Sequence, residues 1–246
     1  GLNNFRAVFG EDSEFFAGKP WYVDSFRGGA NAAQVFEAGG YRFLHITLEM
    51  SAGDPVLRWA SSVIEAHPGY PTIITTHDYL NARGERRSVP IIDLAMGDPD
   101  HHNSAETIWR ELVSAYDQVF MVLCGHHYGQ SVRIDANRYG NPVYQVLADF
   151  QARGQAGVDA GAPTDKGVVG LGDGWYRLMH FDLAAETVTV ETWSSHYRSL
   201  SGDMPHYADW YRDREQPDMS DKEFYAADAF TLDLRGFRKR FKTATD

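Results

Sequence analysis

Histidines follow two of the buried strands that the sequence predicts, and their positions suggest a shared chemical site. His77 comes directly after the run PTIITT at residues 71–76, and His126 and His127 come just after the run VFMVLC at residues 119–124. Because the carboxyl ends of parallel strands meet at one edge of a sheet, we expect His77 and His126 to converge there. Neutral imidazoles that converge can bind zinc, iron or manganese. A second interpretation stays open, in which they are hydrogen-bonded histidines at the edge of the sheet.

The first strand–helix unit that would position them begins at residues 42–49. This run alternates apolar and polar residues and predicts a strand. Asp54 as N-cap and Pro55 in the first turn predict a helix, which Pro68 ends. The short apolar run at residues 71–76 is typical of a buried strand.

The second unit ends in the other histidine-bearing strand. The polar stretch at residues 81–102 predicts a surface excursion near a site. Asn103, followed three residues later by Glu106, predicts the start of a second helix. The run at residues 119–124 predicts the strand that the helix precedes.

The pattern changes after residue 125, where short alternating segments separated by Gly or Asn turns indicate antiparallel strands. These segments are residues 131–135, 143–148, 176–182 and 187–193. Residues 151–174 are rich in glycine and predict a loop, and residues 230–234 predict one further strand. The sequence therefore predicts one α/β domain whose sheet is parallel at first and antiparallel later.

Composition excludes several classes of protein. The 246 residues are 43% hydrophobic and 23% charged, which is typical of a globular chain. The net charge of −11 disfavours a nucleic-acid-binding surface, and the one short basic cluster, at 235–242, indicates a solvated terminus. No apolar run reaches the roughly 20 residues of a membrane span. The single cysteine, Cys124, ends a buried strand and is interpreted as a core residue rather than a nucleophile.

Several segments, taken in order, resemble the calcineurin-like metallophosphoesterases, and their large bacterial branch most of all. The segments are FRAVFG, YRFLHITLE, LRWASSVIEAHP, PTIITTHDYL, IWRELV, VFMVLCGHHYG, YQVLADFQ, GDGWYRLMHFD and VTVETWSS. The similarity extends over most of residues 5–195. It implies that residues 1–195 are the C-terminal portion of such a domain and that residues 196–246 are a tail packed on it.

The resemblance implies an α/β sandwich of two sheets flanked by helices, here without its N-terminal strands. It also implies a centre of two divalent metal ions (Mn, Fe or Zn) that neutralises phosphoryl oxygens and activates water to hydrolyse phosphate mono- or diesters. His77 and His126 match the family's ligands of the second metal. Tyr128 stands where the family has the last histidine of Gly-His-x-His, so His127 becomes an alternative ligand. Tyr128 is a candidate for substrate contact. Asp149, which ends a strand at the same expected edge of the sheet, is a candidate for structural hydrogen bonding, the favoured role, or for substrate contact.

The family's early motifs, Asp-x-His and Gly-Asn-His-Asp, have no match in place, so the chain carries only part of the centre. A cluster of possible substitutes lies in the excursion at Asp98, Asp100, His101 and His102. We expect an open apolar edge beside strands 71–76 and 119–124, and a partner that is either the missing N-terminal half or a second copy. The family implies a periplasmic or secreted location. The alternative function is a non-catalytic binding module that keeps the fold without the first metal site.

Overall fold

A computed structural model describes residues 3–88, 102–161 and 172–244, and within these ranges the strands form two sheets. The strands are β1 (Tyr22–Phe26), β2 (Asn31–Ala38), β3 (Tyr41–Thr47), β4 (Thr72–Asp78), β5 (Val119–Gly125), β6 (Gly129–Ala136), β7 (Pro142–Asp149), β8 (Trp175–Asp182), β9 (Thr187–Ser194), β10 (Ser199–Leu200) and β11 (Phe230–Asp233). The helices are α1 (Asn3–Phe9), α2 (Asp54–Ala66), α3 (Ala105–Ile108), which continues as a π-helical turn (Trp109–Val113), α4 (Gln155–Asp159), α5 (Tyr207–Glu215), α6 (Asp221–Asp228) and α7 (Phe237–Arg240), with a 3₁₀ turn at Ser201–Asp203. None of the helices in these ranges is long and apolar enough to cross a lipid bilayer.

The larger sheet has seven strands in the order β1-β2-β3-β4-β5-β7-β6. Its centre is parallel from β3 through β4 and β5 to β7, while β1, β2 and β6 add antiparallel pairings at the two sides. The α/β class and the parallel pairing of the two histidine-bearing strands are therefore confirmed. The hairpin β1–β2 at the start of the chain was not predicted.

The expected open edge beside strands 71–76 and 119–124 is wrong. Strand β4 lies between β3 and β5, and β5 lies between β4 and β7. The edges of this sheet are instead β1 and β6. The expectation failed because it gave these positions to strands outside the chain, whereas the chain's own β3 and β7 fill them.

The larger sheet has an apolar cluster on each face, because alternate side chains of a strand point to opposite sides. Leu44 and Ile46 of β3 join the cluster that contains α2, whereas Tyr41 and Phe43 join the cluster shared with the smaller sheet. The buried face of α2 has the helical spacing that the sequence predicts; it comprises Val56, Leu57, Ala60, Val63 and Ile64.

The helix starts differ by one residue from the sequence prediction. Gly53 is the N-cap of α2, so Asp54 is its first helical residue. Ser104 is the N-cap of α3, where its side chain accepts a hydrogen bond from the Thr107 amide. Asn103 instead donates to the Ala52 carbonyl and the Asp54 carboxylate, which ties the starts of the two helices together.

The smaller sheet is built around β9, which pairs with β8 along its whole length, with β11 near its start and with β10 at its end. Val188, Val190 and Leu232 pack from this sheet into the cluster that holds Phe120 and Met121 of the larger sheet. The arrangement is two packed sheets with helices around them.

The C-terminal segment is packed onto the sheets rather than exposed. Tyr207, Tyr211 and Phe224 are buried against Phe150 and Trp175 in a third cluster. These aromatic side chains hold the C-terminal segment against the rest of the chain.

The interpretation of residues 235–242 as a solvated terminus holds for Arg235, Arg238, Lys239 and Lys242, which are exposed, and is wrong for Arg240. The Arg240 guanidinium is nearly buried and donates to the carbonyls of Pro142 and Val119. Phe237 and Phe241 are also buried. The many charged residues in this stretch predicted exposure, although its two phenylalanines are buried.

Candidate functional site

His77 and His126 converge at one edge of the larger sheet. His77 lies near the end of β4, and His126 follows the last residue of the parallel neighbour β5. The Nε2 atom of His77 lies 3.0 Å from the Nδ1 atom of His126, and the ring centroids are 4.8 Å apart. His126 has a φ of +70°, a left-handed backbone conformation that non-glycine residues adopt infrequently, so the turn after β5 aims its ring at His77.

The spacing of the two nitrogen atoms fits ligands of one metal ion. Nitrogen ligands bind zinc at about 2.0–2.1 Å, so two of them at tetrahedral or octahedral angles lie about 2.8–3.4 Å apart. The 3.0 Å between His77 and His126 falls in that interval. Without a metal ion, the same spacing is a hydrogen bond in which one ring donates and the other accepts.

The described part of the chain supplies this pair without a third converging ligand. No group of three His, Cys, Asp or Glu side chains suited to a metal ion occurs within residues 3–88, 102–161 and 172–244. Asp98, Asp100 and His101 lie outside the described residues. His102 is described, and its Nδ1 atom lies 3.1 Å from the Ser51 carbonyl oxygen.

Asp149, at the end of β7, lies beside the histidine pair. A Cβ atom placed on Gly125 would lie 3.8 Å from Asp149 Oδ2 and 3.9 Å from His77 Nδ1. The other carboxylate oxygen of Asp149 accepts a hydrogen bond of 3.1 Å from the Gln151 amide. The carboxylate therefore has an ordered backbone contact on one side and faces the histidine loop on the other.

His127 interacts with a different group from His126. Its Nε2 atom lies 3.0 Å from Asp78 Oδ1, and Asp78 is the last residue of β4. The two consecutive histidines thus point to different partners. His126 turns to His77, whereas His127 ties the loop after β5 to the end of β4.

Tyr128 lies at the mouth of a pocket of about 640 Å³. Its side chain is 43% exposed. The walls are the loop after β4, the loop after β5, and the end of α5 with the segment that follows it; they include Asn81, Arg83, Glu85, His127, Tyr128, Arg214, Glu215, Gln216 and Met219. Neither His77 nor His126 lines this pocket, which shares only His127 and Tyr128 with the loop that carries His126.

Gly129 allows the C-terminal segment to approach this loop. Its φ is +103°, and a Cβ atom there would lie 3.3 Å from Glu215 Oε2 and 3.5 Å from Glu215 Cβ. Sequence reasoning missed this wall of the pocket, because no local pattern links residues 214–219 to a loop almost ninety positions earlier.

His45 is a third histidine in the larger sheet, on β3, the strand next to β4. Its Nε2 atom lies 2.8 Å from Thr75 Oγ1, two positions before His77 on the same strand. Burial lowers the pKa of His45 and favours the neutral ring. The alternating pattern at residues 42–49 predicted the strand but gave no sign of this cross-strand contact.

Cys124 is a core residue. The side chain is buried, and the Sγ atom lies 3.6 Å from the Val146 carbonyl oxygen. Burial raises the pKa of the thiol to about 12, so it stays protonated near neutral pH. This agrees with the sequence interpretation.

The chain has a distant relative among known proteins. No protein-family profile matches the chain. The chain is similar to "Uncharacterized protein YvnB" of Bacillus subtilis (strain 168), with 24% identity over 256 aligned residues. The match covers 97% of this chain and 17% of that protein, so the chain spans about one sixth of its relative's length.

Proposed function

We propose that this chain is part of a metal-dependent phosphoesterase that hydrolyses phosphate mono- or diesters, with His77 and His126 as ligands of one divalent ion. The observation that carries the proposal is the 3.0 Å spacing of their facing nitrogens at the carboxyl ends of two parallel strands. The two packed sheets with flanking helices are compatible with a metallophosphoesterase-like sandwich. In this proposal, the remaining ligands come from residues 89–101 or from polypeptide outside this sequence.

The centre in this proposal has two divalent ions (Mn, Fe or Zn), which when bound would neutralise phosphoryl oxygens and activate water. In this proposal, other residues of the chain hold the metal ligands in place and orient the substrate. The His127–Asp78 contact fixes the loop that carries His126. The Asp149 carboxylate lies where it can order polar groups next to His77. Tyr128, which lines a pocket and is partly exposed, is the proposed contact for the organic part of an ester.

A non-catalytic binding module is the second candidate function. Within the described residues, only two potential ligands converge, and Tyr128 stands where a third histidine is expected from the family resemblance. Two imidazoles bind a divalent ion weakly without further ligands and the outer groups that orient them. We therefore expect the isolated chain to hold at most one weakly bound metal ion and to be inactive on simple phosphate esters.

Metal titration tests the proposal. Calorimetry with Zn²⁺ or Mn²⁺ is expected to give saturable binding that His77→Ala and His126→Ala each abolish. His180→Ala is the matched control, because this histidine of β8 is exposed and lies on the other sheet. Metal binding that survives both site variants would overturn the assignment.

Hydrolysis separates the two candidate functions. The isolated chain, and the chain together with any N-terminal segment encoded upstream, would be assayed on p-nitrophenyl phosphate and bis-p-nitrophenyl phosphate. Turnover that needs His77 and His126 supports the phosphoesterase. Metal binding without turnover in either form favours the binding module. A periplasmic or secreted location belongs to the proposal and is tested by cell fractionation.

A further inference from the structure

We propose that the chain forms a two-fold symmetric homodimer, in which strand β8 of one copy pairs with β8 of the other and an apolar cleft beside it is covered. The surface involved is the β2–β8 side, which comprises residues 21–26 and 35–38 along the larger sheet and residues 175–184 along the smaller one. Dimerisation is independent of the proposed function, because it involves neither His77 nor His126.

Both sheets have a free edge on the β2–β8 side. Strand β8 pairs with β9 and has no second neighbouring strand within the described residues. In the larger sheet, β1 pairs only with residues 31–34 of β2, and the Val35 amide then donates to the Trp21 carbonyl. The rest of β2 is an uncovered edge. Such edges present backbone donors and acceptors with which another strand can pair.

An apolar cleft of about 500 Å³ lies between these two free edges. Phe36, Phe43 and Ile73 line it from the larger sheet, whereas Phe181 and Leu183 line it from the end of β8 and the turn that follows. Phe36 and Phe181 are 43% and 38% exposed, respectively. The space between the sheets is therefore open to the outside on this side, with aromatic rings at its entrance.

The charged groups at the cleft are already compensated within the chain. Asp182, the charged residue among those that line it, accepts a hydrogen bond of 2.8 Å from the Ala185 amide. Glu37, next to Phe36 on β2, pairs with Arg42 at 2.8 Å. The cleft thus suits an apolar protein surface, and the two free edges favour a polypeptide over a small apolar molecule, which could not pair with their backbone groups.

The opposite edge of the larger sheet is covered by the chain itself. The hydroxyl of Ser131 on β6 donates to the Asn81 carbonyl at 2.8 Å. The side chain of Gln216, after α5, donates to the Gln130 carbonyl of β6 at 2.8 Å. Covering an edge with a loop is a common protection against association, and the β2–β8 side lacks it.

A second copy fits this side because a two-fold axis exchanges its two halves. Strand β1 lies beside the half of β2 nearer the histidines, whereas the cleft lies beside the other half, at the turn between β2 and β3. If two β8 strands pair antiparallel about an axis perpendicular to the sheets, β1 of each copy faces the free half of β2 in its partner. Symmetric dimers need such a self-complementary surface.

The chain also carries the apolar side chains that would cover the cleft of its partner. Trp21 and Val23, at the start of β1, are 38% and 37% exposed. The two-fold axis places them opposite Phe36 and Phe181 of the other copy. Exposed large apolar side chains are concentrated on this side and in the N-terminal segment that leads to it, as expected of an interaction surface. Among the described residues, those that lie elsewhere are Tyr128, Ile134 and Tyr139.

Sedimentation equilibrium tests the dimer. We expect a monomer–dimer equilibrium with a dissociation constant of about 10 μM or below. Phe36→Lys and Phe181→Lys should each raise that constant about tenfold or more, because each introduces two charges into a symmetric apolar interface. Ile134→Lys and Tyr139→Lys are the matched controls, since both side chains are exposed at β6 or in the turn after it. They should change the constant by no more than about twofold.

Cross-linking tests the pairing of β8 without altering the cleft. The single cysteine, Cys124, is buried, so a thiol introduced by Leu178→Cys in the middle of β8 is the reactive one. Opposed residues of antiparallel strands have Cα atoms about 4.5–5.5 Å apart, so a short bis-maleimide should join the two copies. Adding Phe181→Lys should lower the yield. Ile134→Cys is the control and should stay monomeric under the same conditions.

Three results would overturn the dimer. The first is a chain that is monomeric at about 0.1 mM, which would leave the β2–β8 side to polypeptide outside this sequence. The second is a dimer that Phe36→Lys and Phe181→Lys weaken no more than the two controls do. The third is cross-linking through Ile134→Cys that equals cross-linking through Leu178→Cys.

Discussion

The Nε2 atom of His77 and the Nδ1 atom of His126 lie 3.0 Å apart although the residues are 49 positions apart in the sequence. At this distance one proton can lie between the two rings, donated by one and accepted by the other. A metal ion that binds both nitrogens must take the place of that proton. Metal ions and protons therefore compete for the same pair of atoms.

We expect this competition to appear in the pH dependence of metal binding. Imidazole must be deprotonated to act as a ligand, so the apparent Zn²⁺ affinity should fall about tenfold or more between pH 7.5 and pH 5.5. Calorimetry at both pH values measures it. His126→Ala should remove this binding and its pH dependence together. A pH-independent affinity would mean that the metal ion binds at carboxylates elsewhere.

His127→Ala separates the two adjacent histidines. Because His127 lies 3.0 Å from Asp78 rather than beside His77, the variant should weaken metal binding without abolishing it, whereas His126→Ala abolishes it. The loop should become less ordered, which hydrogen exchange of the Tyr128 and Gly129 amides would detect as faster exchange. A loss of metal binding as large as that of His126→Ala would instead make His127 a ligand, as its place beside the family motif allows.

The sequence predicted the strands that carry the site because their signals are local. The apolar runs before His77 and His126 fixed two buried strands, and their shared parallel direction brought the histidines together as expected. The N-caps were misplaced by one residue, since Asp54 and Asn103 are good capping residues adjacent to the true caps.

Contacts between distant segments left no comparable pattern in the sequence. The contact of Glu215 with Gly129, which forms one wall of the pocket, joins segments far apart in the chain. The same holds for the burial of Arg240 in a stretch that is basic by composition. In both cases the local pattern is polar, and the tertiary partner decides whether the residue is buried.

Arg153 should be one of the most sensitive positions for stability. Its guanidinium is fully buried, lies 2.7 Å from Glu215 and is 4.1 Å from the centre of the Phe150 ring. Arg153→Met leaves the buried carboxylates of Glu215 and Asp228 without their main counter-charge, and we expect the free energy of unfolding to fall by about 3–5 kcal/mol. Urea denaturation measures it.

The paired variant tests whether an unpaired charge causes that loss. Arg153→Met combined with Glu215→Met removes both members of the closest pair and should recover part of the stability of the single variant. Arg138→Gln, at an exposed arginine, should cost no more than about 0.5 kcal/mol. A small effect of Arg153→Met would mean that water reaches the carboxylates and that the C-terminal segment is not sealed onto the sheets.

His45 should make the fold sensitive to mild acid. Burial lowers its pKa in the folded state, so the unfolded chain takes up a proton first, near the ordinary value of about 6.5. Stability is therefore fully present above that pH and is lost as the pH falls towards the lower pKa of the folded state, with a slope of at most about 1.4 kcal/mol per pH unit from this group. His45→Gln keeps a polar group opposite Thr75 but cannot titrate, so its unfolding free energy should fall less between pH 7 and pH 5 than that of the unmodified chain.

Exposed His180, which pairs only loosely with Glu191 at 3.5 Å, provides the matched variant His180→Gln, whose pH dependence should follow the unmodified chain. Urea denaturation at the two pH values tests this, and parallel curves for all three proteins would show that protonation of His45 does not oppose folding.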